Sequence, residues 1–200
     1  MKKRIAVLVS GGGTNLQAQQ DAEAAGKIPH GEIALVVSNN SNAYALERAR
    51  LAGVPGAVIT KKECGSQEAF EEKLKAVLEE YGIEVIFLAG FMTILTQNFT
   101  SCYPKLILNV HPSLIPAFCG EGFYGLKVHE AALNYGVKVT GATVHFVNEI
   151  PDGGEIIAQK AVYIEPGDTP ETLQRRVMEQ AEWILLPQAA ETMCAGLQGK

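Results

Sequence analysis

The sequence predicts an α/β protein with a Rossmann-like, mostly parallel sheet flanked by helices and an antiparallel strand pair near its C-terminal end. In the first 110 residues, short apolar runs alternate with amphipathic stretches, which indicates strand–helix–strand units with right-handed crossovers. A glycine-rich turn joins the first apolar run to the first amphipathic stretch. After residue 137 two strand-like runs follow one another across a short turn, which favours antiparallel pairing.

The parallel part is expected to contain five strands and four helices. The candidate strands are residues 4–10, 33–38, 57–59, 85–89 and 106–110. The candidate helices are residues 14–25, 43–52 and 67–81, with a shorter one near 94–101. In the third helix apolar side chains recur at helical spacing, and the charged residues between them, Glu71 included, are expected to face solvent. Gly26, Gly53 and Gly82 are placed to end helices.

The antiparallel pair is expected to begin with an alternating strand face, and a long helix is expected to follow the pair. The alternating face comprises Val139, Gly141, Thr143, His145 and Val147. Residues 155–164 form the second strand-like run, after the turn at residues 150–154. Asp168 and Pro170 mark the start of the last helix, which is expected to run to about residue 186, where Pro187 kinks or ends it.

Length and composition set limits on the class of protein. The 200 residues suit one domain, and 47% hydrophobic with 20% charged residues is typical of a globular protein. The net charge of −5 and the scattered basic residues argue against nucleic-acid binding. Apolar runs are too short for a membrane span, and no secretory signal is evident, so a cytoplasmic location is expected.

The four cysteines show no spacing typical of a metal site and are interpreted as free thiols. They are Cys64, Cys102, Cys119 and Cys194. Cys119 lies in a glycine-rich loop beyond His111, but a nucleophilic role requires an electropositive setting that a sequence does not reveal. His129 and His145 lack close-spaced ligand partners, so no metal site is predicted.

The glycine loop, residues 10–15, reads Ser-Gly-Gly-Gly-Thr-Asn and is a candidate phosphate site. Glycines allow close approach of a ligand, and a helix N-terminus attracts anions. A dinucleotide fingerprint is excluded because Leu16 stands where glycine is needed, and the second strand ends without an acidic residue. A nucleotide P-loop lacks its Gly-Lys-Ser/Thr. The alternative is a tight turn that binds no ligand.

Asn109, His111 and Asp152 are the candidate catalytic residues. Asn109 and His111 point to one side of a strand end, because Pro112 forbids its continuation. An amide donates to a developing oxyanion, an imidazole moves protons near neutral pH, and a carboxylate beside it raises its pKa. These are the parts needed for acyl transfer. Taken singly, each has a structural alternative: a backbone-bonded histidine, a strand-end cap and a turn residue.

Four collinear segments carry a resemblance to a known family: residues 10–17, 88–92, 109–116 and 143–154. On these the chain resembles the 10-formyltetrahydrofolate-dependent formyltransferases, and among them the glycinamide ribonucleotide formyltransferases of purine synthesis. The resemblance implies one formyltransferase domain over residues 1–200. It also implies formyl transfer from 10-formyltetrahydrofolate, a co-substrate, to the amine of 5'-phosphoribosylglycinamide, with no metal, nucleic acid or membrane. The chain would act as a monomer or a homodimer.

The resemblance also assigns site residues. Asn109, His111 and Asp152 match the catalytic residues. Gly13, Thr14, Asn15 and Glu182 match positions that bind the ribonucleotide. Gln67, Met92, Thr93, Ile94, Leu95 and Asn109 match folate-binding positions. Two departures stand out, because family members commonly carry arginine at the position of Thr93 and some carry one at that of Gln67. The loop at residues 118–125 is also longer than in many members.

In the implied mechanism the glycinamide amine attacks the formyl carbon. Asn109 and protonated His111 stabilise the resulting oxyanion, and Asp152 is expected to keep His111 protonated at rest. Two other members of the superfamily are alternatives: a methionyl-tRNA formyltransferase, which normally adds an RNA-binding domain, and a formyltetrahydrofolate hydrolase, which normally adds a regulatory one. The chain is expected to have room for neither addition. A phosphate-sensing binding module without activity is the alternative from another class.

Overall fold

Seven strands form one sheet in the computed structural model, which describes residues 1–198. The strands are β1 (Lys3–Val9), β2 (Gly31–Ser38), β3 (Gly56–Val58), β4 (Val85–Leu88), β5 (Ile107–His111), β6 (Val139–Phe146) and β7 (Ile156–Tyr163). Their order is β3-β2-β1-β4-β5-β6-β7, parallel from β3 to β5 and antiparallel from β5 to β7. The predicted fold class is therefore confirmed. The sequence predicted that β6 and β7 pair antiparallel, but it did not predict that β6 also pairs antiparallel with β5.

Eight helices connect and cover these strands within the described residues. They are α1 (Thr14–Ala24), α2 (Tyr44–Leu51), α3 (Lys61–Cys64), α4 (Gln67–Glu80), α5 (Gln97–Thr100), α6 (Leu126–Tyr135), α7 (Pro170–Val177) and α8 (Trp183–Gln198). The predicted helices of the first half agree within a few residues. Within residues 1–198 no helix has the length and apolarity needed to cross a membrane.

The sheet is buried on both faces. In β1, Ile5, Val7 and Val9 point into one core and Ala6 and Leu8 into the other, as strand alternation requires. Helices α1, α2, α7 and α8 contribute to the first core, whereas α4 and α5 contribute to the second. Burial on both faces explains why the parallel strands read as continuous apolar runs.

The last helical region does not end near Pro187, so the predicted helix end at about residue 186 is wrong. A π-helical turn, Met178–Glu182, leads from α7 into α8, and α8 continues through Pro187. A proline inside a helix costs about 3 kcal/mol through its missing N–H and its clash with the preceding turn. Leu186, Ala189 and Ala190 on the same helix are buried in the first core. This tertiary packing outweighs the local cost.

The carboxyl ends of parallel β1, β4 and β5 lie at one edge of the sheet. The chain moves outward from β1 to β3 on one side and then returns to place β4 on the other side of β1. Ligands of open α/β sheets bind at such a reversal of strand order. The glycine loop follows β1, residues 89–96 follow β4, and His111 ends β5. The fold therefore brings the predicted site segments to the same edge.

Candidate active site

His111 is held at the end of β5 with one defined ring orientation. Its side chain is almost fully buried, and its Nε2 lies 2.8 Å from the carbonyl oxygen of Phe118. Because a carbonyl oxygen only accepts, Nε2 carries a hydrogen and Nδ1 has the lone pair in the neutral ring. Nδ1 lies 3.4 Å from Oδ2 of Asp152. Proton uptake by His111 therefore takes place at Nδ1, beside the carboxylate.

Asp152 reaches His111 from the turn between β6 and β7. Its φ of 55° is left-handed, a conformation that aspartate tolerates better than most residues. Two residues later, a Cβ on Gly154 would stand 1.7 Å from the carbonyl oxygen of Phe146, so this position requires glycine. The tight turn fixes where the carboxylate points. Oδ2 of Asp152 accepts a hydrogen bond from the backbone N–H of Gly120 at 2.8 Å.

Burial decides the protonation state of His111 but not that of Asp152. It lowers the pKa of His111, and although the charge of Asp152 and the Phe118 carbonyl raise it, the pKa remains below its ordinary value of 6.5. Burial raises the pKa of Asp152, but His145, the charge of His111 and the Gly120 N–H together outweigh burial and hold it below 3.8. The resting pair is thus carboxylate and neutral imidazole near pH 7. The expectation that Asp152 keeps His111 protonated at rest is wrong, because desolvation has the larger effect.

Asn109 lies opposite His145 in the β5–β6 ladder. Its Nδ2 is 3.1 Å from Nε2 of His145 and 3.5 Å from Oδ1 of Asp152. His145 is 2% exposed, and its Nε2 also lies 3.6 Å from Oδ1 of Asp152. The structure thus brings together the three predicted residues and adds His145, which the sequence placed only on a strand face. A prediction that β6 pairs with β5 would have placed His145 at the site.

Asn109, His111 and Asp152 line a cavity of about 340 Å³, the site cavity. Its wall also includes Met92 and Ile94, whose side chains are exposed, and residues 120–125 of the long loop. Leu95 is 4% exposed, packs in the second core and does not line the site cavity. The Met92 N–H donates to Oγ of Ser10 at 2.8 Å, which ties the cavity wall to the glycine loop.

Gln67 and Thr93 contact the protein itself rather than line the site cavity. Nε2 of Gln67 donates to the carbonyl oxygen of Ile94 at 3.1 Å, and Oγ1 of Thr93 accepts from Nδ2 of Asn39 at 2.8 Å. Their neighbour Glu71 is only 4% exposed. Its carboxylate accepts from the Thr96 N–H and from Nε2 of Gln67, both at 2.7 Å. The prediction that Glu71 faces solvent is therefore wrong, because it anchors the segment after β4.

The glycine loop turns its carbonyl groups toward α2. The carbonyl oxygen of Gly11 accepts from the Ala45 N–H at 3.1 Å, and that of Gly12 accepts from Nε of Arg48 at 2.8 Å. Gly13 has a φ of 72°, and a Cβ there would stand 2.6 Å from the Cβ of Ala45. With these carbonyl groups engaged, the loop and the start of α1 present N–H groups, as an anion site requires.

Glu182 lies beside the glycine loop although it is far away in sequence. Its Oε2 accepts from Nδ2 of Asn15 at 2.7 Å, and its side chain is 6% exposed. Burial raises the pKa of Glu182 to about 7, which the hydrogen bond from Asn15 only partly offsets. Thr14, next to Asn15, is exposed and directs its Oγ1 toward Sδ of Met178 at 3.7 Å. The four predicted ribonucleotide-binding residues are therefore close together.

The other candidate groups take no part in this arrangement. The thiol of Cys119 donates to the carbonyl oxygen of Pro116 at 3.3 Å, and burial, with Asp152, raises its pKa. Such a thiol is less nucleophilic than an ordinary one. Burial, with a smaller effect of His111, lowers the pKa of His129 to about 4, so that ring is neutral. In residues 1–198 no three His, Cys, Asp or Glu side chains are grouped as metal ligands.

This fold and site define a class of enzymes. A family model described as formyl transferase matches residues 3–189, and the chain belongs to this formyl transferase family. Two solved structures of glycinamide ribonucleotide transformylase 1 are similar to it. The enzyme from Symbiobacterium toebii has a TM-score of 0.91 and 42% identity, covering 98% of this chain and 89% of that one. The enzyme from Geobacillus kaustophilus has a TM-score of 0.89 and 38% identity, covering 97% and 100%.

The names of curated relatives point to the same class of enzyme, and the lengths of these relatives differ. The phosphoribosylglycinamide formyltransferase of Haemophilus influenzae is 43% identical over 89% of this chain and 81% of its own length. The chloroplastic enzyme of Arabidopsis thaliana is 41% identical over 90% of this chain, which spans 61% of that relative. The chain spans only 19% of a trifunctional purine biosynthetic protein of Gallus gallus, at 45% identity over 98% of this chain. A formyltetrahydrofolate deformylase from Pseudomonas syringae, 23% identical, shares the fold.

Proposed function

We propose that this protein transfers the formyl group of 10-formyltetrahydrofolate to the amine of 5'-phosphoribosylglycinamide, a step of purine biosynthesis. The products are formylglycinamide ribonucleotide and tetrahydrofolate. One observation carries the proposal: the cavity that Asn109, His111 and Asp152 line is joined to the glycine loop through the Met92–Ser10 hydrogen bond. A phosphorylated amine held at the loop would have its reactive end near an acid–base pair.

The chemistry follows from the groups in the cavity. The amine nitrogen bonds to the formyl carbon and gives a tetrahedral oxyanion, which an N–H of Asn109 stabilises by ~3 kcal/mol. Neutral His111 takes the amine proton at Nδ1, and Asp152 stabilises the imidazolium that forms. The bond from carbon to the folate nitrogen then breaks, and that nitrogen receives the proton. Asn109, His111 and Asp152 are thus the proposed catalytic residues.

The substrates would bind on either side of these groups. Backbone N–H groups of Gly13, Thr14 and Asn15 would hold the phosphate, and Glu182 would accept hydrogen bonds from the ribonucleotide. The folate would lie against Met92 and Ile94 and contact the backbone of Leu95. Gln67 and Thr93 would act at the folate end by supporting this segment, without the charge that an arginine brings. Asn109 would contact the formyl oxygen of the folate.

The rest of the proposal concerns organisation. We propose one formyltransferase domain over residues 1–200, acting in the cytoplasm as a monomer or a homodimer. The match of the family model to residues 3–189 supports the domain assignment. Hydrolysis of the formyl donor is the second candidate function. A deformylase shares this fold, and water is a smaller nucleophile than the amine.

Assays with the ribonucleotide amine and with water as the formyl acceptor test the proposal. Purified protein with 10-formyltetrahydrofolate should produce tetrahydrofolate only when the ribonucleotide amine is added. His111→Ala and Asp152→Asn should each reduce the rate about 10²- to 10⁴-fold. His30→Ala is the control, because His30 precedes β2 at the opposite edge of the sheet. Equal turnover without the amine would establish hydrolysis instead, and activity that survives both substitutions would overturn the mechanism.

A further inference from the structure

The tautomer of His145 is determined by the backbone carbonyl group of the next residue, Phe146. Nδ1 of His145 lies 2.7 Å from the carbonyl oxygen of Phe146, which only accepts hydrogen bonds. Nδ1 therefore carries a hydrogen, and Nε2 of the neutral ring has a lone pair. That lone pair faces the side-chain amide of Asn109 at 3.1 Å. Asp152, with Oδ1 3.6 Å from the same Nε2, is the charged group that faces the ring.

This tautomer fixes the orientation of the Asn109 amide. Only an N–H can point at a lone pair, so Nδ2 rather than Oδ1 must face His145. The second hydrogen of Nδ2 is directed toward Oδ1 of Asp152 at 3.5 Å, the limit of a hydrogen bond. Asn109 and Asp152 both line the site cavity. One amide hydrogen is thus firmly bound by His145, and the other is weakly held at the cavity.

We propose that His145 is a positioning residue for formyl transfer. As a hydrogen-bond acceptor it holds Asn109 with the second N–H available to the formyl oxygen. The inference rests on the proposed function, since the oxyanion comes from that reaction. Without His145 the amide is free to turn by 180° and present Oδ1, which repels an oxyanion. A doubly protonated His145 would have the same effect, because its Nε2 would then donate.

A double-mutant cycle tests whether His145 acts through Asn109. His145→Leu removes the acceptor, and His145→Gln retains one in Oε1. His145→Leu should lower kcat by about 30- to 100-fold, with KM values within about 3-fold, because the interaction develops only in the transition state. His145→Gln should recover much of this loss. In an Asn109→Ala background, His145→Leu should have an effect of less than about 3-fold.

The same cycle contains the results that would overturn the proposal. If His145→Leu costs the same factor in both backgrounds, His145 acts through Asp152 or through the fold. His30→Leu serves as the control for replacing a histidine elsewhere. Thermal unfolding of each variant identifies any loss that comes from misfolding. If His145→Leu does not fold, His145→Ala, which also removes the acceptor, takes its place in both backgrounds.

A spectroscopic measurement separates this inference from the proposed function. In ¹⁵N-labelled protein, Nδ1 rather than Nε2 of His145 should carry the proton of the neutral ring. A ¹⁵N–¹⁵N coupling across the hydrogen bond should connect Nδ2 of Asn109 with Nε2 of His145. A proton on Nε2, or no coupling, would overturn the role of His145 whatever the activity. An inactive wild-type protein with the coupling present would overturn only the proposed reaction.

Discussion

The carbonyl oxygen of Phe118 lies 2.8 Å from Nε2 of His111 and so decides which nitrogen of that ring is basic. Phe118 has a left-handed φ of 50° in the loop after the cis Ile115–Pro116 bond. The start of this loop is anchored to β6, since Oγ1 of Thr143 donates to the Ser113 carbonyl oxygen at 2.7 Å. A backbone group on a well-anchored loop thus sets the tautomer that the proposed mechanism needs.

The titration of His111 should reflect burial more than its carboxylate neighbour. We expect an NMR titration of its Cε1–H signal to give a pKa below 6.5, because desolvation disfavours the imidazolium. Asp152→Asn should lower this pKa further, since it removes the negative charge that partly offsets burial. A midpoint above 6.5 in the wild type, or a rise on Asp152→Asn, would contradict the assignment.

Substitution by alanine should affect the stability of the protein differently at two neighbouring glycines of the loop. Gly13→Ala should lower the free energy of unfolding by about 2–3 kcal/mol, because it combines a left-handed backbone with a clash against Ala45. Gly12→Ala is the matched control, since a Cβ there has no atom within 4 Å among the described residues. Its stability should change by less than about 0.5 kcal/mol. Urea unfolding of both variants measures this, and equal effects would be inconsistent with the packing.

On the proposed function, Arg48 should matter for binding of the phosphate end of the ribonucleotide. It donates to the Gly12 carbonyl oxygen and to Oε1 of Gln17, both at 2.8 Å, and it brings positive charge to the loop. Arg48→Gln should raise KM for the ribonucleotide about 10-fold, as loss of a charged hydrogen bond does, and leave KM for the folate unchanged.

Arg50→Gln is the control on the same helix. Arg50 is exposed and pairs with Glu47 at 2.7 Å, away from the loop. Its substitution should leave both KM values unchanged in steady-state assays. A similar rise in KM for both arginine variants would point to a general charge effect instead.

Glu182 should make the protein less stable as pH rises. Its pKa of about 7 lies above the ordinary 4.5, so the stability linked to the protonated form is complete below 4.5 and is lost as pH rises through about 7. Relative to Glu182→Gln, the wild type should lose roughly 3 kcal/mol across this window. Urea unfolding without substrate at several pH values measures the difference. Parallel pH profiles would show that Glu182 is not desolvated.

Asp168 should make the protein less stable as pH falls, which is the opposite of the effect of Glu182. Arg176 and the Glu165 N–H lower the pKa of Asp168 from 3.8 to about 2, so its contribution is present above 3.8 and is lost as pH falls through about 2. Asp168→Asn should cost about 1 kcal/mol at neutral pH, after allowance for solvent screening, and nothing at the acid end. Glu179→Gln is the control, because the exposed Arg175–Glu179 pair should contribute little to stability.

Local patterns were sufficient for the parallel half of the fold. Strands buried on both faces and a well-patterned helix such as α4 are encoded by nearby residues, and so are the turns that end them. The charged surface of α4 was predicted less well. Glu71 is identical in type to its solvent-facing neighbours, and only the segment after β4, 25 residues away, gives it partners. Long-range hydrogen bonds of this kind leave no local signal.

The site was predicted where chemistry and sequence coincide and missed where it depends on strand pairing. Asn109 and His111 share a strand, so their relation follows from a two-residue period. His145 enters only because β6 pairs with β5, a register that alternation alone does not specify. The Phe118 carbonyl and Gly120 N–H are backbone groups, and residue type does not predict which backbone groups contact a site. Burial, which lowers the pKa of His111, is likewise a property of the completed fold.

The return of β6 to β5 has a consequence for the growing polypeptide. Asn109 and Asp152 are 43 residues apart, and β5 emerges from the ribosome well before its antiparallel neighbour. A nascent chain at that stage has the glycine loop and the imidazole but neither the carboxylate nor His145. Truncated translation products ending before residue 152 would therefore lack the carboxylate of the proposed acid–base pair. On the proposed function, the acid–base pair for formyl transfer would be complete only on molecules whose synthesis has passed the turn between β6 and β7.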